Sequence, residues 1–409
     1  MVNQSTTRAM PVPYSQRRSN AAAILQLAWD VPAFTASDGM RETGLTRSTV
    51  IALCDDLVES GWLAELADAR AAGEYRKGRP ARRYALRADA GVVIGVDAGP
   101  HRITATVADL FGAELGHAVE HVSRDKAESA DRMALTDGVV DAALTGAGIE
   151  ASRVLCITLG VPAPTDLNGT SPAAENAFWR VMNPGFAQHF VARGWAAVVE
   201  NDANLAAVAE GRLGAGAGVP SYIALLSGER FGAGYVVNGQ LIRGTRGGAG
   251  EMRLLNLVEN VGSADGIGAL LRDWVRTAKR SGNIPAGSVL HKCPLTNLDA
   301  PEVFQAADGG DVYAVQLIDW MAERLARICA ILAGLLDVDR IVIAGAVAEA
   351  IDLLLERTLA RLAELTHPPA PDVVASKLGS DVVSAGAVTK ALAYTRDNAL
   401  DLVLEDAVG

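Results

Sequence analysis

Cysteine is scarce and scattered. Cys54, Cys156, Cys293 and Cys329 are the only four in 409 residues, and they form neither a close pair nor a regular framework. That pattern excludes a disulfide-stapled scaffold and a cysteine-built metal site, and leaves reduced, mostly buried thiols as the reading. Long apolar runs are missing too. Half of the residues are hydrophobic, yet the best candidate span, Ile328–Leu336, is short and follows Arg324 and Arg327. A membrane helix needs about 20 apolar residues, so none is expected. Arg8, Arg17 and Arg18 near the N-terminus precede no apolar segment of signal-peptide type. These absences point to a cytoplasmic globular protein, long enough for two or three domains.

What is present is unevenly charged. Residues 1–87 hold 12 of the 37 Lys/Arg and 9 of the 48 Asp/Glu, a net +3, which leaves −14 for the rest of a chain whose total is −11. A basic head on an acidic body means that only the head is suited to approach a polyanion.

Residues 1–14 are polar with two prolines and are expected to be disordered. Ser19–Ala28 and Thr35–Glu42 read as helices, the second capped by Thr35 or Ser37. Gly44-Leu45 makes a turn, and Thr46 caps a third helix running to about Ser60. Its apolar residues Val50, Leu53, Cys54, Leu57 and Val58 share one face, and Gly61 ends it. Three short helices with a turn before the last describe a helix-turn-helix. Strands at Trp62–Leu66 and Arg82–Leu86 then flank a wing. Tyr75–Arg87 contains six basic side chains and no acid, a composition suited to phosphate contact. The candidate DNA contacts are Arg47, Ser48 and Thr49 at the start of the third helix, and Arg76, Lys77, Arg79, Arg82 and Arg83 in the wing. Gly78-Arg79-Pro80 is extended and rigid enough to lay Arg79 in a minor groove.

The body opens on Gly91–Asp109, two β-rich runs around an Asp97-Ala-Gly-Pro100 turn. A helix over about Ala127–Leu144 and a buried strand at Val154–Val161 follow. Val198–Glu210 passes from strand into helix, which places Asn201, Asp202 and Asn204 at a strand's carboxyl end, where α/β sheets hold their ligands. An Asp there suits a base that takes a proton from a substrate hydroxyl. Tyr222–Ile242 repeats the strand-turn-strand pattern of Gly91–Asp109, so the body reads as an internal duplication.

Several ordered motifs now carry a resemblance: Gly44-Leu-Thr-Arg-Ser-Thr49, Gly78-Arg-Pro80, Gly95-Val-Asp-Ala-Gly99, Gly160-Val-Pro162, Asn201-Asp-Ala-Asn204, Arg243-Gly244, Gly247-Gly-Ala-Gly-Glu251 and Ile341-Val-Ile-Ala-Gly345. Over roughly residues 17–395 the chain resembles the transcriptional regulators of the ROK (repressor, open reading frame, kinase) family. The resemblance implies an α/β fold: a winged helix-turn-helix over residues 1–88, then a two-lobed actin/hexokinase-like (ribonuclease H-like) sugar-kinase body over 89–409. Lobe one would take about 89–200 plus the C-terminal helix 384–409, and lobe two about 201–383.

The resemblance also implies a sugar between the lobes, met by Asn176, Asn201, Asp202, Glu251 and Glu259. Asp202 is the base in kinase members, and Asp97 orients the nucleotide's metal. The family pattern is broken in two places. Between Glu251 and Glu259 there is no His or Cys, so the family's zinc loop reads as deleted and no metal is expected. At the phosphate turns Pro100 has no N–H to donate, while Glu229 and Arg230 stand where threonine and glycine are usual, so Glu229 would aim a carboxylate at a polyanion, which places ATP binding in question. The sequence reading is therefore a sugar-sensing repressor that is not an enzyme, acting as a homodimer or homotetramer on a double-stranded DNA operator, without membrane or cofactor. A bifunctional regulator with kinase activity, a ligand-blind DNA-binding dimer and a non-sugar effector are the alternatives.

Overall fold

The computed structural model describes residues 14–66, 81–123, 131–172, 176–367, 370–402 and 404. The head begins with α1 (Tyr14–Asp30), followed by β1 (Phe34–Thr35), α2 (Ala36–Thr43), α3 (Arg47–Glu59), β2 (Leu63–Leu66) and β3 (Arg83–Leu86). Local chemistry sets these limits. Thr35 and Asp38 form a reciprocal capping box at α2, and Gly44 closes that helix at a φ of 70°. Thr46 caps α3 through Thr49 N–H. Val50, Leu53, Cys54 and Leu57 are buried along one face of α3, while Val58 is half-buried. The sheet has three strands in the order β1-β3-β2. The two-residue β1 carries too little pattern to be seen in sequence.

Two five-stranded sheets form the body. The first contains β4 (Val92–Ala98), β5 (Arg102–Ala108), β6 (Glu114–His121), β7 (Val154–Val161) and β8 (Ala196–Asn201). The second contains β9 (Tyr222–Ser227), β10 (Phe231–Val237), β11 (Gln240–Ile242), β12 (Arg340–Ala344) and β13 (Asp372–Ala375). Their orders are β6-β5-β4-β7-β8 and β11-β10-β9-β12-β13, the same path laid down twice. In each the first three strands are antiparallel and the rest parallel. The duplication read from the two hairpins is thus a property of whole lobes.

Helices cover both sheets. Lobe one carries α4 (Arg132–Ala147), α5 (Ala177–Met182) and α6 (Phe186–Ala192), and α7 (Asp202–Leu213) leads to the second sheet. Lobe two adds α8 (Ile267–Arg280), α9 (Val289–Lys292), α10 (Ala300–Asp308), α11 (Val312–Leu336) and α12 (Asp352–Leu365). The last helix, α13 (Val382–Asn398), returns to pack on β4, β7 and α7. Its approach to α7 demands a glycine, because a Cβ at Gly386 would lie 2.0 Å from the carbonyl oxygen of Leu205. The helix expected from about Ala127 begins, among the described residues, at Arg132. Residues 124–130 lie outside them.

Head and body share one core. Ile24, Leu25, Leu57 and Trp62 join Val93, Leu155, Val388 and Ala391 in a single buried cluster. Around it, Arg396 donates to Gln26 and pairs with Asp30 at 2.8 Å, and Arg18 pairs with Asp401. Among the described residues no helix is long and apolar enough to cross a membrane.

Candidate active site

Strand β8 ends at Asn201, and its side chain is spent locally. The carboxamide oxygen accepts from Ala203 and Asn204 N–H as the cap of α7, and the amide donates to the carbonyl of Ala163. Asn204 is fully buried and donates to Glu200, so the structure takes it out of the ligand face on which its position had placed it. Glu200 itself was not singled out in sequence. Its buried carboxylate accepts from Asn204 and, at 2.6 Å, from Arg243, which follows β11. A charge buried in a strand survives only with such partners, and this one ties β8 to lobe two.

Asp202 is the first residue of α7, with one oxygen accepting from Ala203 N–H. Burial pushes its carboxyl up to about 8, and the charge of Asp97 adds to that rise. Asp97, near the end of β4, is raised by burial to about 7, against the opposing pull of Arg102 and a hydrogen bond from the Gly99 backbone. Glu251 also bears on Asp202. It bridges β10 at Gly232, and it is held there by Gly250, at a φ of 89°, where a Cβ would meet the carbonyl of Ala233. Desolvation raises the Glu251 carboxyl against the pull of Arg230 and Arg253, although its side chain still meets solvent. The structure thus brings Asp97, Asp202 and Glu251 together. Asn176 caps α5 by accepting from Phe178 N–H, and Glu259 is exposed on the turn beyond residues 253–257.

The segment after Glu251 forms a short 3₁₀ turn, Arg253–Leu257. It offers no imidazole or thiolate, so its donor set does not fit zinc.

A buried arginine holds the β4–β5 turn, and another holds the loop that bridges the β9–β10 turn. Arg132, at the start of α4, donates to the carbonyls of Ala98 (3.0 Å), Gly99 and Pro100 (3.3 Å). Arg324, in α11, donates to Val261 (2.8 Å), Ser263 (2.6 Å) and Asp265 (2.8 Å), the loop that bridges Arg230. The two arginines come from equivalent helices of the two lobes. Neither was recognised in sequence, because the carbonyls they serve belong to other elements.

Glu229 is not a free charge at its turn. Its carboxylate accepts from Arg272 of α8 at 2.6 Å and faces His101. Arg230 is exposed on the same turn.

In the head, Arg47 and Ser48 are exposed at the first turn of α3, and the hydroxyls of Ser48 and Thr49 approach Thr46 Oγ1 at 3.1 and 2.8 Å. The wing was expected to carry cations without counter-charge. Arg82 corrects this, since it pairs with Glu65 from β2 and with Asp55 from α3 at 2.8 Å, and lies over the Tyr84 ring. Strand pairing delivers those acids, which the linear count could not register. Arg83 is half-buried in β3. Arg76, Lys77 and Arg79 lie outside the described residues.

The ROK family model matches residues 93–393. A glucokinase of Halalkalibacterium halodurans is 32% identical over 205 residues, covering 43% of this chain and 61% of that enzyme. A xylose repressor of Caldicellulosiruptor bescii is 25% identical over 260 residues, covering 62% of this chain and 63% of that protein. In both, the chain spans under two thirds of the relative. Among solved structures, a ROK family transcriptional regulator, homologous to the E. coli MLC protein, has a TM-score of 0.68 at 20% identity, covering 92% of this chain and 96% of its own. That likeness shows the fold. A ROK family glucokinase from Streptomyces griseus, in complex with glucose and AMPPNP, has a TM-score of 0.61 at 25% identity, covering 74% of this chain and 99% of its own. The chain is therefore related to sugar kinases and to repressors alike. The expectation of a protein without enzymatic activity is overturned by this kinship, since sugar kinases recur among its relatives in sequence and in structure.

Proposed function

The chain belongs to the ROK family, and from that membership we propose a bifunctional protein: an ATP-dependent sugar kinase joined to a DNA-binding head. The observation that carries the kinase reading is the Asp97–Asp202 pair. A base works best when its pKa lies near the operating pH, and burial has moved Asp202 up to about 8. In this reading Asp202 takes the proton from the sugar hydroxyl that attacks the terminal phosphorus of MgATP. Asp97 orients the metal that arrives with the nucleotide, and Glu251, Asn176 and Glu259 meet the other hydroxyls, while Asn201 keeps its role as the cap of α7. Catalysis of this type is mainly positioning and charge stabilisation, and the braced turns supply rigid walls for it.

Residues 1–88 form the DNA-binding domain and 89–409 the kinase domain in this reading. The capped, exposed first turn of α3 supports DNA contact through Arg47 and Ser48, with the wing beside it. Two heads of a homodimer read two half-sites, and sugar binding between the lobes alters operator occupancy.

The deciding experiment incubates the full-length chain with MgATP and a panel of aldohexoses, their N-acetyl derivatives and xylose, and follows ADP release. Sugar-dependent ADP that disappears in Asp202→Asn supports the reading. ADP release indifferent to sugar or to that substitution rejects it.

A further inference from the structure

A carboxylate of one turn faces the other turn across the cleft. Glu229, in the β9–β10 turn of lobe two, has its carboxylate 3.6 Å from Nε2 of His101, in the β4–β5 turn of lobe one. The other oxygen accepts a 2.6 Å hydrogen bond from Arg272 of α8. Arg272 is only 16% exposed, and Asp299 stands 3.7 Å away on its far side. Glu229 is held in place as well, since its carbonyl accepts from Gly266 N–H at 3.0 Å, just ahead of α8. A Cβ at Gly266 would lie 2.1 Å from the carbonyl of Gly228, so only glycine lets the start of α8 come this close to the turn.

A planar guanidinium offers the same fork to a carboxylate and to a phosphate. The position between Arg272 and His101 is therefore a site for an anion, and in the free protein the chain supplies that anion itself. Pro100 cannot give the first turn its amide, so side-chain cations beside the second turn become the natural partners of a polyphosphate tail.

We propose that Arg272 and His101 form a binding site for the phosphates of the phosphoryl donor, and that Glu229 occupies it as a built-in competitor which latches the lobes until the donor displaces it. The identity of the donor as a nucleoside triphosphate rests on the kinase reading; the anion site does not. An intramolecular carboxylate competes at high effective concentration, so the unmodified chain binds the donor weakly.

The test is calorimetric titration of the full-length chain with MgATP and with inorganic tripolyphosphate, without sugar. Glu229→Ala and Glu229→Gln are each expected to bind both at least tenfold more tightly than the unmodified chain. Adding Arg272→Gln to either should remove the gain. Affinity unchanged or lowered in both single variants, at unaltered unfolding temperature, overturns the latch. So does a gain that survives Arg272→Gln. Tighter binding without sugar-dependent phosphoryl transfer would leave the latch standing and reject the kinase. Transfer without tighter binding would do the reverse.

Discussion

The charge of Asp97 reaches Asp202: the strand-end acid of lobe one and the first acid of α7 lie close enough that one raises the other's carboxyl, on top of burial, to about 8. A pair so arranged is costly to keep ionised, and perturbed carboxyls of this kind gather at functional sites.

The first prediction concerns that cost. A carboxyl raised in the folded state holds its proton to higher pH than in the unfolded chain, whose value is about 4. Between about 4 and about 8 the folded protein binds more protons, so this group's contribution makes stability fall as pH rises through that window. Asp202→Asn should therefore raise the melting temperature relative to the unmodified chain at pH 9 and change it little at pH 4. A penalty at pH 9 would show that the ionised carboxylate is stabilising.

Activity should move oppositely. The base must be ionised, so kcat for sugar phosphorylation should climb with pH towards about 8 and then level. Asp202→Asn should lower kcat by roughly 10²–10⁴-fold. A flat pH profile from 6 to 9 would sink the role given to Asp202.

Arg132 should matter more than its place outside the cleft implies. Arg132→Met would leave the carbonyls of Ala98, Gly99 and Pro100 without their donor. A loss of about 1–3 kcal/mol in urea denaturation is expected, the usual cost of stranding buried polar groups. MgATP affinity should fall with it, because the turn loses its brace.

In the head, the two arginines should behave differently. Arg47→Ala should weaken duplex DNA binding and reduce the salt slope by about 1, the signature of one lost phosphate contact. Arg82→Ala should weaken binding less, because Glu65 and Asp55 already engage that guanidinium. Fluorescence anisotropy with duplex DNA at several salt concentrations separates the two.

The seam between head and body gives a last prediction. On α13, the helix that packs on β4 and α7, Arg396→Ala removes the guanidinium's ties to Gln26 and Asp30 and leaves only the Gln26 bond to its backbone carbonyl. The shared core should hold the fold, but calorimetric unfolding should broaden or split as the head uncouples. A single sharp transition at the original temperature would show the seam to be idle.

Much of this protein was written locally. The capped helix from Thr46, the glycine stops at Gly44 and Gly61, the strand Val154–Val161 and the strand-to-helix passage at Asn201–Asp202 follow from caps, periodicity and turn chemistry, all acting over a few residues. The repeated hairpin even disclosed the duplication. Partnerships were not legible, because burial and Coulomb forces act between groups that the linear chain keeps apart. Arg82 is neutralised by acids from two other elements, Glu229 meets His101 only when the lobes face each other, and Arg396 finds Gln26 370 positions away. The sequence by itself determined those local features: the caps, the glycine stops and the strand-to-helix passage at Asn201–Asp202. Only the tertiary structure decided which charges are engaged, since that depends on what each group is packed against and how much water is left around it.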